Sequence, residues 1–458
     1  MARNFLKETS VLLGFSFLLF ISWNYYGLLI VLALCFFYCC IARVLDCNFW
    51  FFIGAVYLLL LLFNMCVTFW LLNVGIVQGA LAMMLNAAFM SIPFAVLFFI
   101  NRLSRTKCLF LIPLFWTTYE LINQDFLLSW PWLSIGNAMG NQPHFVQWYS
   151  IIGVHGGTLW ILLLSLFLYK LFVNQNKTKV FVLLLLLLLV PICISFSIYC
   201  KNTDIIGNVK VTTCIPNIST EGNLKKTKDL CRFLEQCEHE NIVLCPELYF
   251  HPIIINKQYK CKDFNYLNML LKQDTSYRFF IGAEVRGNND KLYNTILVYD
   301  NDGVLIKTKR KYVPLTEYTP KLLRPIFGDS YYGYTDNDDF RVIGNKYQIL
   351  PLLCYESVFS STSTKLTYYN DVVFLSTSEE FMKGSSLGKR QYLNIVRIRA
   401  IESRRNIIKC SNKGFSAVIN EKGEIVQKID KVFQNVEAKR ITRPSFYCKL
   451  LNFAFKEL

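Results

Sequence analysis

The sequence predicts a multi-span α-helical membrane domain followed by an α/β domain, and three observations indicate this division. The 458-residue chain is 53% hydrophobic and only 17% charged, with a mean hydropathy of +0.34, so it is more apolar than an ordinary soluble protein. Only nine of its 48 Lys and Arg residues and four of its 32 Asp and Glu residues lie within positions 1–200. From position 208 onward, short β-branched or apolar runs alternate with amphipathic stretches, which is typical of layered α/β domains.

Seven apolar stretches in the first domain, residues 1–200, are long enough or nearly long enough to cross a bilayer, which takes about 20 helical residues. They cover residues 10–23, 25–42, 49–73, 75–100, 108–123, 149–169 and 180–200. The first stretch is similar to a secretory signal, because Arg3 and Lys7 precede it. No small-residue cleavage site follows, however, and a second stretch begins at once. We therefore expect about seven spans.

The basic residues of the first domain fall on alternate connections between these spans. They precede the first span or follow the second, fourth and sixth: Arg3, Lys7, Arg43, Arg102, Arg105, Lys107, Lys170, Lys177 and Lys179. Lys and Arg near span ends remain on the cytoplasmic side of a membrane. The pattern therefore predicts a cytoplasmic N-terminus and, after an odd number of spans, a second domain on the outer face.

The outward connection at 124–148 is rich in aromatic residues. It contains the sequence Trp130-Pro131-Trp132-Leu133. Tryptophans here are typical of an aromatic belt at the membrane interface. A second interpretation is an outward-facing, re-entrant aromatic arm that shapes a lipid-facing entrance, with Trp130 and Trp132 as substrate-access residues. The residues themselves leave both interpretations open.

The second domain, residues 201–440, contains eight candidate strands and three candidate helices. The strands are predicted at 208–214, 241–246, 278–285, 293–299, 348–354, 371–376, 407–410 and 415–420. The helices are predicted at 221–238, 262–273 and 388–405. A domain of this length buries one large core. The remaining tail, 441–458, is too short to cross a bilayer and is expected to lie along the membrane interface.

Most of the net charge of +16 belongs to the second domain. A basic surface is typical either of nucleic-acid binding or of contact with anionic lipid headgroups. No basic run is interleaved with stacking aromatic residues. We therefore expect a membrane partner and no nucleic acid.

Three segments of the second domain carry groups with catalytic potential. Cys245-Pro246-Glu247 places a carboxylate just past an apolar strand, and the run 350–356 places the thiol of Cys354 in the same way. Between them, the basic segment 307–311 contains Lys309. Taken singly, each group has a structural explanation, because strand-end thiols are usually buried and lysine clusters are usually solvated. Together they form a Glu, Lys, Cys series in chain order.

This series resembles the catalytic triad of the nitrilase (carbon-nitrogen hydrolase) superfamily. The matching motifs are Pro246-Glu247, Lys309 before Val313-Pro314, Glu317-Tyr318 and Cys354-Tyr355-Glu356. Combined with the multi-span first domain and the aromatic arm, they resemble one branch, the apolipoprotein N-acyltransferases of the Bacteroidetes type. The resemblance implies an α-β-β-α sandwich for residues 201–440.

The resemblance implies a membrane acyltransferase that works through a cysteine thioester. It would move an acyl chain from a phospholipid to the α-amino group of the N-terminal diacylglyceryl-cysteine of an apolipoprotein. Cys354 is then the nucleophile and Glu247 its general base, because a thiol is mostly protonated near neutral pH. Lys309 and the backbone N–H after Cys354 would stabilise the oxyanion.

Further expectations follow from the same resemblance. Glu317, Tyr355 and Glu356 are supporting residues, and the two carboxylates would hold Lys309 charged and oriented. The protein would be a monomeric, multi-pass protein of the bacterial inner membrane with its catalytic domain in the periplasm. Its partners would be a phospholipid donor and an apolipoprotein acceptor. No cofactor is expected, and no metal, because none of the four His residues has a zinc-site spacing to Cys.

The chain departs from the family where the pocket is expected. The usual Asn-Asp-x-Trp is replaced within Thr377-Ser378-Glu379-Glu380, the usual Gln-His by Gln391-Tyr392, and a Gln after the first strand by Ile215. Two alternatives therefore stay open: a membrane-tethered amidase with the same triad, and a catalytically altered scaffold protein. The seven spans count against the first, since an anchor needs only one, and the intact triad counts against the second.

Overall fold

The chain divides into two compact units. The computed structural model describes residues 2–104, 108–126, 128–173, 176–216, 222–254, 265–287, 291–321, 324–333, 342–343 and 348–454. The first unit comprises Met1–Lys201 and Ser385–Ile398. The second comprises Asn202–Gly384 and Arg399–Leu458.

The first unit is helical. Its helices are α1 (Ala2–Asn24), α2 (Ile30–Val44), α3 (Phe49–Thr68), α4 (Ile76–Ser104), α5 (Ile112–Asn123), α6 (Tyr149–Val173) and α7 (Lys177–Cys200). Within the described residues, five helical stretches are long and apolar enough to cross a membrane: Gly27–Val44, Phe49–Asn73, Ile76–Ser104, Tyr149–Val173 and Lys177–Cys200. The other two predicted spans are also helical, but α5 has only 12 residues and the apolar part of α1 covers Leu12–Asn24. The protein is thus a membrane protein, and seven spans remains a prediction.

The predicted arm, apart from residue 127, which lies outside the described residues, folds into short turns, and its residues 131–140 are buried within the first unit. Its 3₁₀ helices cover Pro131–Leu133, Ile135–Asn141 and Pro143–Phe145. The buried Glu120 of α5 accepts a hydrogen bond from the backbone N–H of Ile135 at 2.9 Å and from the Thr158 hydroxyl at 2.6 Å. A carboxylate inside a helical membrane unit is costly unless such partners satisfy it. Glu120 therefore fixes the arm to α5 and α6.

The second unit contains two β-sheets. Its strands are β1 (Ile205–Cys214), β2 (Ile242–Leu244), β3 (Phe250–Ile254), β4 (Arg278–Arg286), β5 (Leu292–Asp300), β6 (Gly303–Thr308), β7 (Val342–Ile343), β8 (Gln348–Leu353), β9 (Val372–Ser378), β10 (Asn406–Asn412), β11 (Ser416–Ile419), β12 (Ile425–Ile429) and β13 (Phe433–Ile441). One sheet has the order β13-β1-β2-β4-β5-β6, with β3 beside β4, and the other the order β12-β11-β10-β9-β8-β7. Apolar side chains from both sheets form one buried cluster, including Val211, Phe280, Phe374 and Ile408.

Helices cover the outer faces of both sheets. Leu230 and Leu234 of α8 (Asn223–Gln236) and Leu267 of α9 (Asn265–Gln273) share a core with Phe279 of the first sheet. The remaining helices are α10 (Arg324–Phe327), α11 (Ser360–Leu366), α12 (Ser386–Ser403) and α13 (Phe446–Ala454). Side chains of α11 and the end of α12 line a small cavity over β8 and β9. This α-β-β-α sandwich confirms the predicted fold class.

All the predicted strands and helices occur, although residues 221 and 262–264 of two predicted helices lie outside the described residues. The sequence did not predict β3, β6, β7, β12 or β13. In the tail, α13 buries Tyr447, Cys448 and Leu451 and exposes Phe446 and Phe453. Residues 455–458 lie outside the described part of the chain, and the interfacial position of the tail stays a prediction.

Candidate active site

Glu247 lies three residues after β2 and is held on both of its carboxylate oxygens. Oε1 accepts hydrogen bonds from Lys309 Nζ at 2.9 Å and Asn294 Nδ2 at 2.8 Å, and Oε2 accepts one from the backbone N–H of Ser378 at 2.8 Å. The residue is only 2% exposed. A glycine at position 282 lets β4 pass close by, because a Cβ there would lie 2.4 Å from the carbonyl oxygen of residue 246. The carboxylate is therefore fixed in place before substrate binds.

Lys309 follows β6 and is fully buried. Its ammonium donates to Glu247 at 2.9 Å and to Glu317 at 2.7 Å. Burial alone lowers the pKa of Lys309, but the two carboxylates outweigh it and raise the pKa well above its usual value. The side chain is thus a permanent cation. Two of its three N–H donors bind carboxylates, so the third can bind a developing oxyanion.

Cys354 stands at the turn between β8 and a 3₁₀ helix, Cys354–Val358. Its φ of 38° lies in the left-handed region, which a non-glycine residue rarely adopts and which is common at functional sites. The Sγ atom donates a long hydrogen bond to the backbone carbonyl of Ser378, at 3.9 Å. Burial raises the pKa of the Cys354 thiol well above its usual value, Glu247 and Glu317 raise it further, and Lys309 partly opposes them. The resting residue is a thiol that needs a base.

Ser378, the last residue of β9, connects the predicted base to the predicted nucleophile. Its N–H donates to Glu247 and its carbonyl oxygen accepts from the thiol of Cys354. Because one backbone unit touches both side chains, strand β9 sets the spacing between them. The structure therefore brings Glu247, Lys309 and Cys354 together around the ends of β2, β6, β8 and β9. This arrangement can pass a proton from thiol to carboxylate beside a fixed cation.

The supporting residues differ in what they contact. Glu317 accepts from Lys309 and, through Oε2, from the backbone N–H of Val313 at 2.8 Å. Burial raises the pKa of Glu317, and although Lys309 lowers it, the charge of Glu247 raises it again. Tyr355 is buried, and burial raises its pKa well above the usual value, so the phenol stays protonated.

Glu356 was expected to hold Lys309, but its ammonium partner is Lys307, at 2.5 Å. The same carboxylate accepts from the backbone N–H groups of Leu353, at 2.8 Å, and Arg310, at 2.9 Å. It thus connects the residue before the predicted nucleophile to the segment that carries Lys309. The contacts of Glu356 therefore fix the positions of two backbone segments.

The residues that depart from the family occupy different places. Ser378 lies at the site, whereas the Glu379 carboxylate is fully buried and forms an ion pair with Lys409. Glu380 forms a half-exposed pair with Lys413 at 2.7 Å. The backbone N–H of Ile215 donates to the carbonyl of Val432 at 2.7 Å. Of these four residues, Ser378 is the one that contacts the predicted triad.

Gln391 belongs to the first unit, where it ties the aromatic arm to the transmembrane helices. Its Oε1 accepts from the indole N–H groups of Trp70 and Trp132, at 3.0 and 3.1 Å. Its Nε2 donates to Asn24 Oδ1 at 3.1 Å and to the Val67 carbonyl at 3.0 Å. These four bonds use the full capacity of an amide side chain.

The predicted substrate-access tryptophans stack in the same region. Trp132 lies between Trp130 and Tyr392, with ring centroids 5.7 and 5.6 Å away and interplanar angles of 12° and 20°. Trp132 is only 2% exposed, so it is part of the packing of the first unit. Trp130 is half-buried. Tyr392, in place of the family's His, supplies the outer ring of this stack.

Replacing Gln391 with leucine is expected to lower the free energy of unfolding of the first unit by about 2–4 kcal/mol, because the indole N–H groups of two buried tryptophans would lose this acceptor. Unfolding followed by tryptophan fluorescence measures the change. Gln427→Leu, which removes a surface amide, is the matched control and should change stability by about 0.5 kcal/mol or less. Equal stabilities for the two variants would contradict the assigned role.

Comparisons with known proteins agree with this two-part architecture. A family described as "Apolipoprotein N-acyltransferase N-terminal domain" matches residues 10–167, and one described as "Carbon-nitrogen hydrolase" matches residues 211–437. The apolipoprotein N-acyltransferase of Wigglesworthia glossinidia brevipalpis is 25% identical over 340 residues, covering 69% of this chain and 66% of its own length. That of Rickettsia prowazekii is 24% identical over 365 residues, covering 74% and 72%.

Among solved structures, Saccharomyces cerevisiae Nit3, a member of branch 10 of the nitrilase superfamily, matches 55% of this chain and 96% of its own. The TM-score is 0.38 and the identity 16%. The chain spans about two thirds of the length of the curated relative from Wigglesworthia. Within the described residues, no group of three or more His, Cys, Asp or Glu side chains is arranged to hold a metal ion. The two matched families, in this chain order, cover most of the sequence, and the chain therefore combines an apolipoprotein N-acyltransferase N-terminal domain with a carbon-nitrogen hydrolase domain.

Proposed function

We propose that this protein is a membrane acyltransferase that uses Glu247, Lys309 and Cys354 to acylate apolipoproteins. The observation that carries the proposal is the contact set of Ser378 and Lys309, which holds a buried base, a fixed cation and a protonated thiol at one site. The matched families and the names of the relatives support the same activity. The acyl donor is a phospholipid and the acceptor a diacylglyceryl apolipoprotein.

In the first step, Glu247 accepts the thiol proton of Cys354 and the sulfur attacks the ester carbonyl of the phospholipid. Negative charge then develops on the carbonyl oxygen, where Lys309 and the backbone N–H after Cys354 stabilise it. The bond between the carbonyl carbon and the glycerol oxygen breaks, and Glu247 returns its proton to that oxygen. A thioester on Cys354 and a lysophospholipid result.

In the second step, the α-amino group of the acceptor attacks the thioester carbonyl. Glu247 takes a proton from the attacking nitrogen, Lys309 again stabilises the oxyanion, and the carbon–sulfur bond breaks. The amide product leaves, and the Cys354 sulfur regains its proton. The same three residues, Glu247, Lys309 and Cys354, thus act in both half-reactions.

We also propose how the chain lies in the membrane. The alternate placement of basic residues in the first 200 positions supports about seven spans and an inner-membrane location with residues 201–440 in the periplasm. Trp130, half-buried at the edge of the aromatic stack, is a candidate substrate-access residue. The tail at 441–458 would lie at the interface through the exposed Phe446 and Phe453. We take the protein to act as a monomer.

The activity is tested by incubating the purified protein with an acyl-labelled phospholipid and a diacylglyceryl lipopeptide. The proposal predicts label on the peptide α-amine and release of lysophospholipid. Hydrolysis of small amides without any lipid would indicate an amidase instead. A folded protein that yields neither product with several donors would indicate a scaffold protein.

The orientation is tested with a cysteine placed at Asp302, which is exposed in the turn between β5 and β6. In right-side-out vesicles, a membrane-impermeant maleimide is expected to modify Asp302→Cys, whereas the control Ser104→Cys should react only after permeabilisation. Peptide mapping distinguishes these thiols from the native ones. Modification of position 302 only after permeabilisation would contradict the proposed orientation.

A further inference from the structure

Asn294 of β5 is a fully buried residue at the active site, and no motif in the sequence indicates it. Its Nδ2 donates to Glu247 Oε1 at 2.8 Å and to Glu317 Oε1 at 3.3 Å. Lys309 Nζ donates to the same two oxygens, at 2.9 and 2.7 Å. The four side chains form a closed ring in which two acceptors alternate with two donors. We call it the carboxylate ring.

The orientation of the Asn294 amide is set by the two carboxylates. Its Oδ1 is buried and has no hydrogen-bond partner within the described part of the chain. A buried acceptor without a partner costs about 1–3 kcal/mol, so the fold tolerates a penalty to direct the NH₂ group at the carboxylates. The opposite orientation would turn the carbonyl oxygen toward two negative charges.

The backbone fixes the same geometry. The carbonyl oxygen of Asn294 accepts a hydrogen bond from the backbone N–H of Lys309 at 2.8 Å. The amide and the ammonium of the ring are therefore held on neighbouring segments, the first on β5 and the second just after β6. The backbone segments that carry the two donors are therefore held together.

The carboxylate ring has a net negative charge when both carboxylates are ionised. Glu247 and Glu317 bring two negative charges to one ammonium. Two carboxylates this close tend to take up a proton, because each raises the free energy of ionising the other. A neutral donor that binds both stabilises the doubly ionised state without adding charge.

We propose that Asn294 is a positioning residue that keeps Glu247 ionised and aimed as the general base. This inference rests on the proposed function. The titratable groups around Glu247 come from several elements: Lys309, Glu317 and Cys354. Tyr332 lies farther off. Glu284, on β4, is the register partner of Asn294 on β5. Of the groups in contact with the ring oxygens, Asn294 is the neutral side-chain donor, which makes its contribution separable from that of Lys309.

The test is the pH dependence of kcat/KM for thioester formation, followed as lysophospholipid release from a labelled phospholipid. In Asn294→Leu, the acid limb is expected to move to higher pH by about one to two units, because a hydrogen bond to a charged group is lost. At alkaline pH the rate should return to within about tenfold of wild type, since the base ionises there without help. A purely structural defect would lower the rate at every pH and leave the limb in place.

Three further variants sharpen the result. Asn294→Ser keeps one donor for two carboxylates, so its limb should lie between those of wild type and Asn294→Leu, and it decides the matter if the leucine variant does not fold. Asn294→Asp replaces the donor with a third carboxylate and should lose about 100-fold or more at neutral pH. Thr295 is the next residue of β5, and its buried hydroxyl donates a hydrogen bond to the Ala283 carbonyl on β4. Thr295→Val removes this bond and should leave the acid limb of the pH profile unchanged.

Failure of this inference and failure of the proposed function give different results. An Asn294→Leu limb at the wild-type pH, while Glu247→Gln still abolishes thioester formation, would overturn only the role of Asn294. Thioester formation that survives in Glu247→Gln would overturn the assignment of the base itself.

Discussion

Cys354→Ala is expected to abolish acyl transfer, lowering kcat by about 10⁴-fold or more, because it removes the sulfur that is proposed to carry the acyl chain. The residue lies after β8 with its backbone in the left-handed region, and its thiol contacts Ser378, which also binds Glu247, the proposed base. Removing one sulfur should leave the ion pairs of the site intact. The measurement is transfer of labelled acyl chain from phospholipid to lipopeptide, with thermal unfolding recorded in parallel.

The matched control for this variant is Cys410→Ala. Cys410 is also a fully buried free thiol in the second unit, on β10, and its Sγ atom donates to the Leu244 carbonyl at 3.5 Å. It should lose stability through the small cavity but keep its activity. Activity retained in Cys354→Ala, or lost equally in both variants, would contradict the nucleophile assignment.

Lys309→Met is expected to lower both activity and stability, because it removes a cation that contacts both Glu247 and Glu317. Leaving buried carboxylates without their partner typically costs about 3–5 kcal/mol. Loss of the oxyanion donor should lower kcat by about 10²–10³-fold. Chemical unfolding and the acyl-transfer assay measure the two effects separately.

The stability loss in Lys309→Met should depend on pH. Without the cation, the folded state holds its buried carboxylates at raised pKa and binds more protons than the unfolded state, so its stability falls as pH rises. The difference from wild type should therefore shrink as pH is lowered toward 5. Lys311→Met, two residues away and half-exposed over the Phe359 ring, is the control and should show little effect. A pH-independent deficit would contradict the proposed charge balance.

The sequence predicts the central strands of this fold but not its edges. Strands β2, β4, β8 and β9 are buried apolar runs, which are recognisable in a sequence. The strands that were not predicted include β6, β7, β12 and β13, which form the four outer edges of the two sheets. Edge strands carry many polar, exposed residues, so their hydrophobic pattern is weak.

The site shows the same limit at the level of single residues. Glu247 and Cys354 could be predicted because each follows an apolar strand, and the resemblance added Lys309. Asn294 lies inside a largely apolar strand, and no neighbouring residue in the sequence indicates a special role for it. Its amide contacts two carboxylates that come from other segments. The two lysines at 307 and 309 look like a solvated cluster, although the structure buries both against separate carboxylates. The roles of the two lysines can be told apart only from their ion-pair partners in the folded structure.

The most direct test of the whole account is a mass measurement on the protein itself. The protein is incubated with a phospholipid of one defined acyl chain and no acceptor, then digested and mapped by mass spectrometry. We expect one acyl chain on the peptide that contains Cys354, released by neutral hydroxylamine and discharged when a diacylglyceryl lipopeptide is added. An acyl chain on a different residue, or lipopeptide acylation with no adduct at Cys354, would contradict it.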